Sequence, residues 1–293
     1  MKDYVAENER ILEEWRKSYV DANQSLYPNE NNIGEKFFAP DGIMYKGEFK
    51  GEIKRFNNGH SIFRWKREES GKENEMWSNA PLRILYLTKD QNVYGDVAWD
   101  VRSESFRYRD EQYKPEEMWL DSQNTFFRNL VYSLYGIMNT TADSSMKYDG
   151  FTNEKALKFA DKQIFARINC KKEVGSDRCY DSDLIRAIEN DKKFLEQQII
   201  NLDADIFVCC GYSKFIEKSG NRMLNLLNEI GYHFEPAIDK KPDEWVYYDK
   251  SCDKLAINSY HLSYLQFDYN GMISAYSEFL KKHPTFTNSH REK

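Results

Sequence analysis

The sequence predicts an α/β protein: a three-layer αβα sandwich around a central, mainly parallel four-stranded sheet, preceded by an N-terminal extension of helix and small strands. Two observations predict it. From Pro81 onward short apolar runs alternate with stretches of helical periodicity, the order of β–α–β units whose sheet is covered on both faces. Before that point the pattern differs, with one amphipathic stretch followed by glycine-punctuated mixed runs. The chain accordingly divides into 1–80 and 81–293, and 293 residues at 40% hydrophobic content suffice for one α/β domain of about 200 residues plus the extension.

Taken in order, Glu7 to Asn23 repeats Ile11, Leu12, Trp15, Tyr19 and Val20 on a 3.6-residue period, an amphipathic packing helix. Phe37 to Trp65 sets Gly42, Gly47, Gly51 and Gly59 between runs such as Ile43-Met44-Tyr45, which reads as small strands and turns. Glu68 to Glu75 is a charged loop joining the extension to the main domain. Leu82 to Leu87 is the first main strand, and Thr125 to Met138 is a helix ending near Gly136. Gln163 to Ile168 is the second strand, followed by a long helix from Asp183 to Leu202 capped by Ser182 or Asp183. Asp205 to Cys210 is the third strand, closed by Gly211, and Phe215 to Ile230 the next helix. Lys254 to Ile257 is the fourth strand, with Trp245 to Tyr248 pairing beside it, and Asp268 to Lys282 closes the domain as a helix.

Composition excludes several classes. No apolar run approaches the roughly 20 residues that span a bilayer, and Met1-Lys2-Asp3-Tyr4-Val5 lacks the order of a signal peptide, so a soluble, cytoplasmic protein without a membrane partner is expected. The five cysteines have no CxxC spacing, and Cys209-Cys210 sit inside an apolar run, which points to buried thiols rather than disulfides or zinc. No metal or other cofactor is expected. A net charge of -6 argues against indiscriminate coating of nucleic acid, although 42 Lys and Arg leave room for a local basic face. The oligomeric state is left open.

In an open parallel sheet, ligands bind beyond the carboxyl ends of the strands. Those ends are unusually polar here: Thr88-Lys89-Asp90-Gln91-Asn92, then Asn169-Cys170-Lys171-Lys172, then Gly211-Tyr212-Ser213, and last Asn258-Ser259-Tyr260-His261-Leu262-Ser263. This serial order resembles the uracil-DNA glycosylase superfamily, whose members end the first strand in a Gly-Gln-Asp-Pro-Tyr type motif and the last in His-Pro-Ser. The matching residues are Thr88 to Asn92 and His261-Leu262-Ser263, with Phe127 to Tyr132 similar to the helix after the first motif. Ile168-Asn169 is similar to the strand ending in the base-reading Asn, and Phe207 to Gly211 to the strand ending in Gly. The resemblance spans about Pro81 to Lys282; Thr88, Gln91 and Leu262 depart from it where the family has Gly, Pro and Pro.

The resemblance implies hydrolysis of the N-glycosidic bond of a flipped base in DNA, in repair or in antiviral defence. Cleavage develops positive charge on the sugar and negative charge on the departing base, so Asp90 would act beside the sugar and on the attacking water, and His261 beside the base. Asn169 would read the base edge, and Asn92, smaller than the family's Tyr, would leave room for a 5-substituted pyrimidine. Trp99, within an aromatic cluster with Phe106, Tyr108 and Tyr113, offers a stacking face or a core contact. Ser263, Tyr264, Leu265, Lys171 and Ser213 would contact DNA, with Tyr264 or Leu265 filling the gap left by the flipped nucleotide. Two other readings stand beside this one. The first is a non-catalytic nucleic-acid-binding or sensor module on the same fold, favoured by the altered first motif; residue by residue, the plainer alternatives are Asp90 as a turn cap and Asn169 and His261 as structural groups. The second is a metal-dependent hydrolase or nuclease using Asp90, Asp96, Asp100 and Glu104.

Overall fold

A computed structural model describes residues 2–28, 32–55, 61–91, 98–106, 114, 124–175, 179–213, 216, 220–237, 245–265 and 267–286. The N-terminal part runs α1 (Tyr4–Asn23), α2 (Ile33–Phe37), β1 (Gly42–Ile43), β2 (Phe49–Arg55), β3 (Ser61–Arg67) and α3 (Glu73–Ser78). The remainder runs β4 (Ile84–Thr88), α4 (Thr125–Asn139), α5 (Asn153–Lys162), β5 (Ala166–Asn169), α6 (Asp181–Leu202), β6 (Ile206–Cys210), α7 (Arg222–Glu229), β7 (Glu235–Pro236), β8 (Val246–Asp249), β9 (Lys254–Ser259) and α8 (Tyr269–Lys282).

The protein is α/β. Its main sheet has seven strands in the order β1-β5-β4-β6-β9-β8-β7, which corrects the expected four. The four anticipated strands, β5-β4-β6-β9, are the parallel centre. Antiparallel strands extend both edges: β1 on β5, and β8 then β7 beyond β9. Alternate residues along the central strands feed two apolar layers. Ile84, Tyr86, Ile206 and Val208 pack with Leu130, Leu134, Ile273 and Tyr276 on one face. Leu85, Leu87, Phe207 and Cys209 pack with Trp15, Leu195, Ile199 and Leu224 on the other.

Winding runs from β4 outward to β5, then back across to β6 and on to β9, so the chain reverses beside β4. In such sheets the reversal opens a crevice at the carboxyl edge, between loops that diverge from neighbouring strands. Among the described residues no helix is long and apolar enough to cross a membrane.

Several element ends differ from expectation for local reasons. Gly136 lies inside α4 rather than ending it, because a Cβ there would meet the Tyr269 hydroxyl of α8 at 2.3 Å. α7 begins at Arg222, where Asn221 caps it by accepting the Met223 N–H at 3.1 Å. α6 starts at Asp181, two residues early, and ends where Asp203 turns left-handed at φ 47. The charged stretch before the main domain contains the start of α3, since Glu73 folds back to accept the Lys46 and Ser70 N–H groups.

Candidate active site at the carboxyl edge of the sheet

The loops after β4 and β5 run side by side. The N–H groups of Cys170, Lys171 and Gly175 donate to the carbonyls of Thr88, Lys89 and Gln91 at 2.8–2.9 Å, while the Tyr212 N–H donates to Ser259 O and joins the ends of β6 and β9. Asp90 therefore stands just past β4 and Asn169 at the end of the neighbouring β5, and His261 stands beyond β6, after β9.

Asp90 is largely buried, with its side chain 9% exposed. Burial pushes its carboxyl up, opposed by the charge and hydrogen bond of Lys171, by a Cys179 hydrogen bond and by the charge of Lys89. Lys171 Nζ lies 3.5 Å from Oδ2, and Gly175 closes over the same oxygen, where a Cβ would come within 1.9 Å. Only glycine allows that approach. Lys89 donates to Asp181 Oδ1 at 2.9 Å, and its charge bears on both Asp90 and His261. Burial raises the Asp181 carboxyl, but hydrogen bonds from Lys89 and Ser213 outweigh it and hold the group below its usual range.

Asn169 ends β5 and is fully buried. Its N–H donates to Asp41 Oδ2 at 2.7 Å, its carbonyl accepts from Lys172 Nζ at 3.0 Å, and its Oδ1 accepts from Thr88 Oγ1 at 2.6 Å. Its Nδ2 has no hydrogen-bond partner. A buried donor left unpaired costs about 1–3 kcal/mol, and such a group asks for a functional explanation. Beside it Arg167 donates to Thr88 Oγ1 at 3.3 Å, pairs with Glu104 and lies over the Phe126 ring at 4.6 Å. Glu104 also accepts from Trp99 Nε1 at 2.8 Å, and Gln91 fixes the Trp99 backbone through bonds of 2.9 and 3.1 Å. Trp99 thus lines a cleft with Arg64, Trp65, Phe106 and Phe127 next to Arg167. Phe106 itself is core, stacked on Phe165 at 5.9 Å.

His261 packs against Phe126, ring centroids 5.8 Å apart. Burial, with the charges of Lys89 and Arg167, pushes its pKa down to about 4, so the ring is neutral at pH 7. Nδ1 accepts the Ser263 N–H at 3.4 Å and stands 2.6 Å from Ser263 Oγ. A neutral ring accepting at Nδ1 carries its proton on Nε2, which has no hydrogen-bond partner among the described residues. Leu262 turns into the core while Asn129 Nδ2 donates to its carbonyl at 2.7 Å, which fixes the turn. Tyr264 and Leu265, 43% and 83% exposed, follow on the surface, with Tyr264 stacked on Tyr260 at 5.0 Å. Of the other residues expected to meet DNA, Lys171 is directed at Asp90 and Ser213 at Asp181. Asn92 lies outside the described residues, as do Asp96, Tyr108 and Tyr113.

The sequence reading missed Asp41, Lys172, Arg167, Gly175 and Lys89 as parts of the site. Arg167 carries a signal, since one cation inside the apolar run Phe165-Ala166-Arg167-Ile168 requires a buried partner. Of the carboxylates of the metal reading, the three among the described residues have partners of their own: Asp100 accepts from Arg102 and Tyr45, Glu104 from Arg167 and Trp99, and Asp90 faces Lys171. Among the described residues no three His, Cys, Asp or Glu side chains converge as a metal site. Comparison with protein-family models, curated proteins and solved structures finds no match to this chain.

Proposed function

We propose that the protein is a DNA base glycosylase, a divergent relative of the uracil-DNA glycosylase superfamily, acting on a flipped pyrimidine. The observation that carries the reading is the orphaned Nδ2 of Asn169, a buried donor at the strand end where a base edge would be read. Two others support it. The neutral His261 offers an Nε2–H to the negative charge that develops on the departing base, and needs no proton transfer to do so. The Asp90 carboxylate, shielded from solvent, suits the positive sugar and the attacking water. Asn92 extends the proposal to pyrimidines substituted at carbon 5, on sequence grounds alone.

A binding or sensor module is the second reading, favoured by the covering of Asp90 Oδ2 by Gly175 and Lys171. Oligonucleotides carrying uracil, 5-hydroxymethyl or glucosylated pyrimidines separate the two. Glycosylase action leaves alkali-labile abasic sites that form equally well in chelator; binding without abasic sites supports the module; strand cleavage abolished by chelator contradicts both.

A further inference from the structure

The hairpin of β2 and β3 stands apart from the main sheet as its own two-stranded ribbon. From Phe49 to Arg67 the chain carries Lys50, Lys54, Arg55, Arg64, Lys66 and Arg67 against the single acid Glu52, in a protein whose net charge is -6. A surplus of cations on one short element of an acidic chain is an electrostatic footprint for a polyanion.

The register sharpens this. Lys50 pairs directly with Lys66, and like charges opposed across an antiparallel ribbon destabilise it unless an anion lies between them. Glu52 is the one carboxylate on that face, and it already takes Arg64 at 2.9 Å and Lys66 at 3.5 Å. Lys50 reaches Glu68 at 3.1 Å, but both side chains are exposed, 63% and 48%, so that pair is weak and readily exchanged for a phosphate. The opposite face holds the apolar side chains, with Phe63 and Trp65 meeting edge to face at 5.2 Å over Gly51 and Ile53 59% exposed, together with Arg67, which lies over the Phe49 ring at 3.9 Å and pairs with Asp161 at 3.6 Å.

The ribbon also borders the candidate site. The Lys66 backbone makes an antiparallel bridge with that of Glu104, the partner of Arg167, and the Arg64 guanidinium lies 5.3 Å from the centre of the Trp99 ring. Arg64 and Trp65 form one wall of the cleft that Trp99 and Phe127 complete.

We propose that the β2–β3 ribbon is a nucleic-acid arm, its cationic face holding the phosphates of the strand whose base enters the cleft beside Arg167. This deepens the glycosylase reading and rests on it for the identity of the substrate.

The test is binding of a fluorescent oligothymidylate, single-stranded and in duplex, titrated over a range of salt by wild type and by Lys50→Gln/Lys54→Gln. Each phosphate that is no longer neutralised takes about 0.7–0.9 from the slope of log affinity against log salt, so the double variant should lower the slope by about 1–2 and weaken binding on the order of tenfold. Its melting temperature should match or exceed wild type's, since the exposed Lys50 opposes Lys66 across the ribbon. Unchanged affinity and slope would overturn the arm, as would a loss confined to vesicles of phosphatidylserine with DNA binding intact. The two readings fail separately: weakened binding by the variant keeps the arm even if wild type releases no base, and base release with undiminished variant binding keeps the glycosylase and removes the arm.

Discussion

Replacing Asp41 by Asn removes one negative charge from beneath Asn169 with little change of volume, and the structure gives the cost. Asp41 and Lys172 are 0% and 1% exposed, and Nζ donates to both carboxylate oxygens at 2.6 and 2.7 Å, to Asn169 O at 3.0 Å and to Gln198 Oε1 at 3.1 Å. Gln198 and Asn8 complete the network, and Trp15 lies 4.6 Å from the ammonium. Burial already pulls the Lys172 pKa down, and Asp41 is the main group opposing it. Without that carboxylate the ammonium is a buried, uncompensated charge, which costs about 3–5 kcal/mol. Lys172 can escape by losing its proton, but holding neutral a group of ordinary pKa about 10.4 costs about 4–5 kcal/mol at pH 7, so the two limits agree. For a chain of this length the melting temperature should fall by about 10 °C. The sign with pH follows: the unfolded variant binds a proton that the folded variant does not, so its stability rises with pH and the deficit against wild type shrinks as pH approaches about 10. Urea unfolding from pH 7 to 10 reads both effects, and Asp41→Asn/Lys172→Met should recover much of the loss. A single variant within about 1 kcal/mol of wild type, or a double variant whose losses simply add, would show that Lys172 does not depend on the Asp41 charge.

Two further predictions concern the site itself. Gly175→Ala places a methyl 1.9 Å from Asp90 Oδ2 and must displace it, so base release should fall by up to about a hundredfold with DNA affinity nearly unchanged; undiminished single-turnover rates would contradict this. His261, depressed from 6.5 to about 4, contributes stability that is complete above about pH 6.5 and is lost as pH falls toward 4, because the unfolded chain takes up the proton first. Unfolding of His261→Ala should lack that loss, and a limb near pH 6.5 in the wild-type kcat/KM profile, absent from the variant, would show the ring titrating normally.

What the sequence could show is what repeats along the chain. The four parallel strands were legible because each is an apolar run bounded by polar residues, whereas β7 holds two residues and leaves no pattern, and β1, inside the stretch expected to hold small strands, carries no sign that it joins the main sheet. Gly136 was misread because a helix end and a close helix–helix approach both call for glycine, and only the position of Tyr269 distinguishes them. Asp90, Asn169 and His261 stand where the sequence put them, at or just past strand ends. The groups that hold them were not legible: Asp41 and Lys172 lie 131 residues apart, and nothing about either in sequence marks it as the other's partner. Gly175 is likewise ordinary until the loop folds over Asp90.

In the proposed function Asp90, Asn169 and His261 form one site that breaks an N-glycosidic bond. The most direct measurement is single-turnover release of free base from an oligonucleotide bearing one uracil, 5-hydroxymethyl or glucosylated pyrimidine, with wild type and Asp90→Asn compared at equal DNA occupancy. Free base and abasic site should form in equal amounts from at least one substrate, with release on the order of 10²–10³-fold slower for Asp90→Asn and DNA affinity preserved. No release from any substrate, or equal rates for the two proteins, would contradict it.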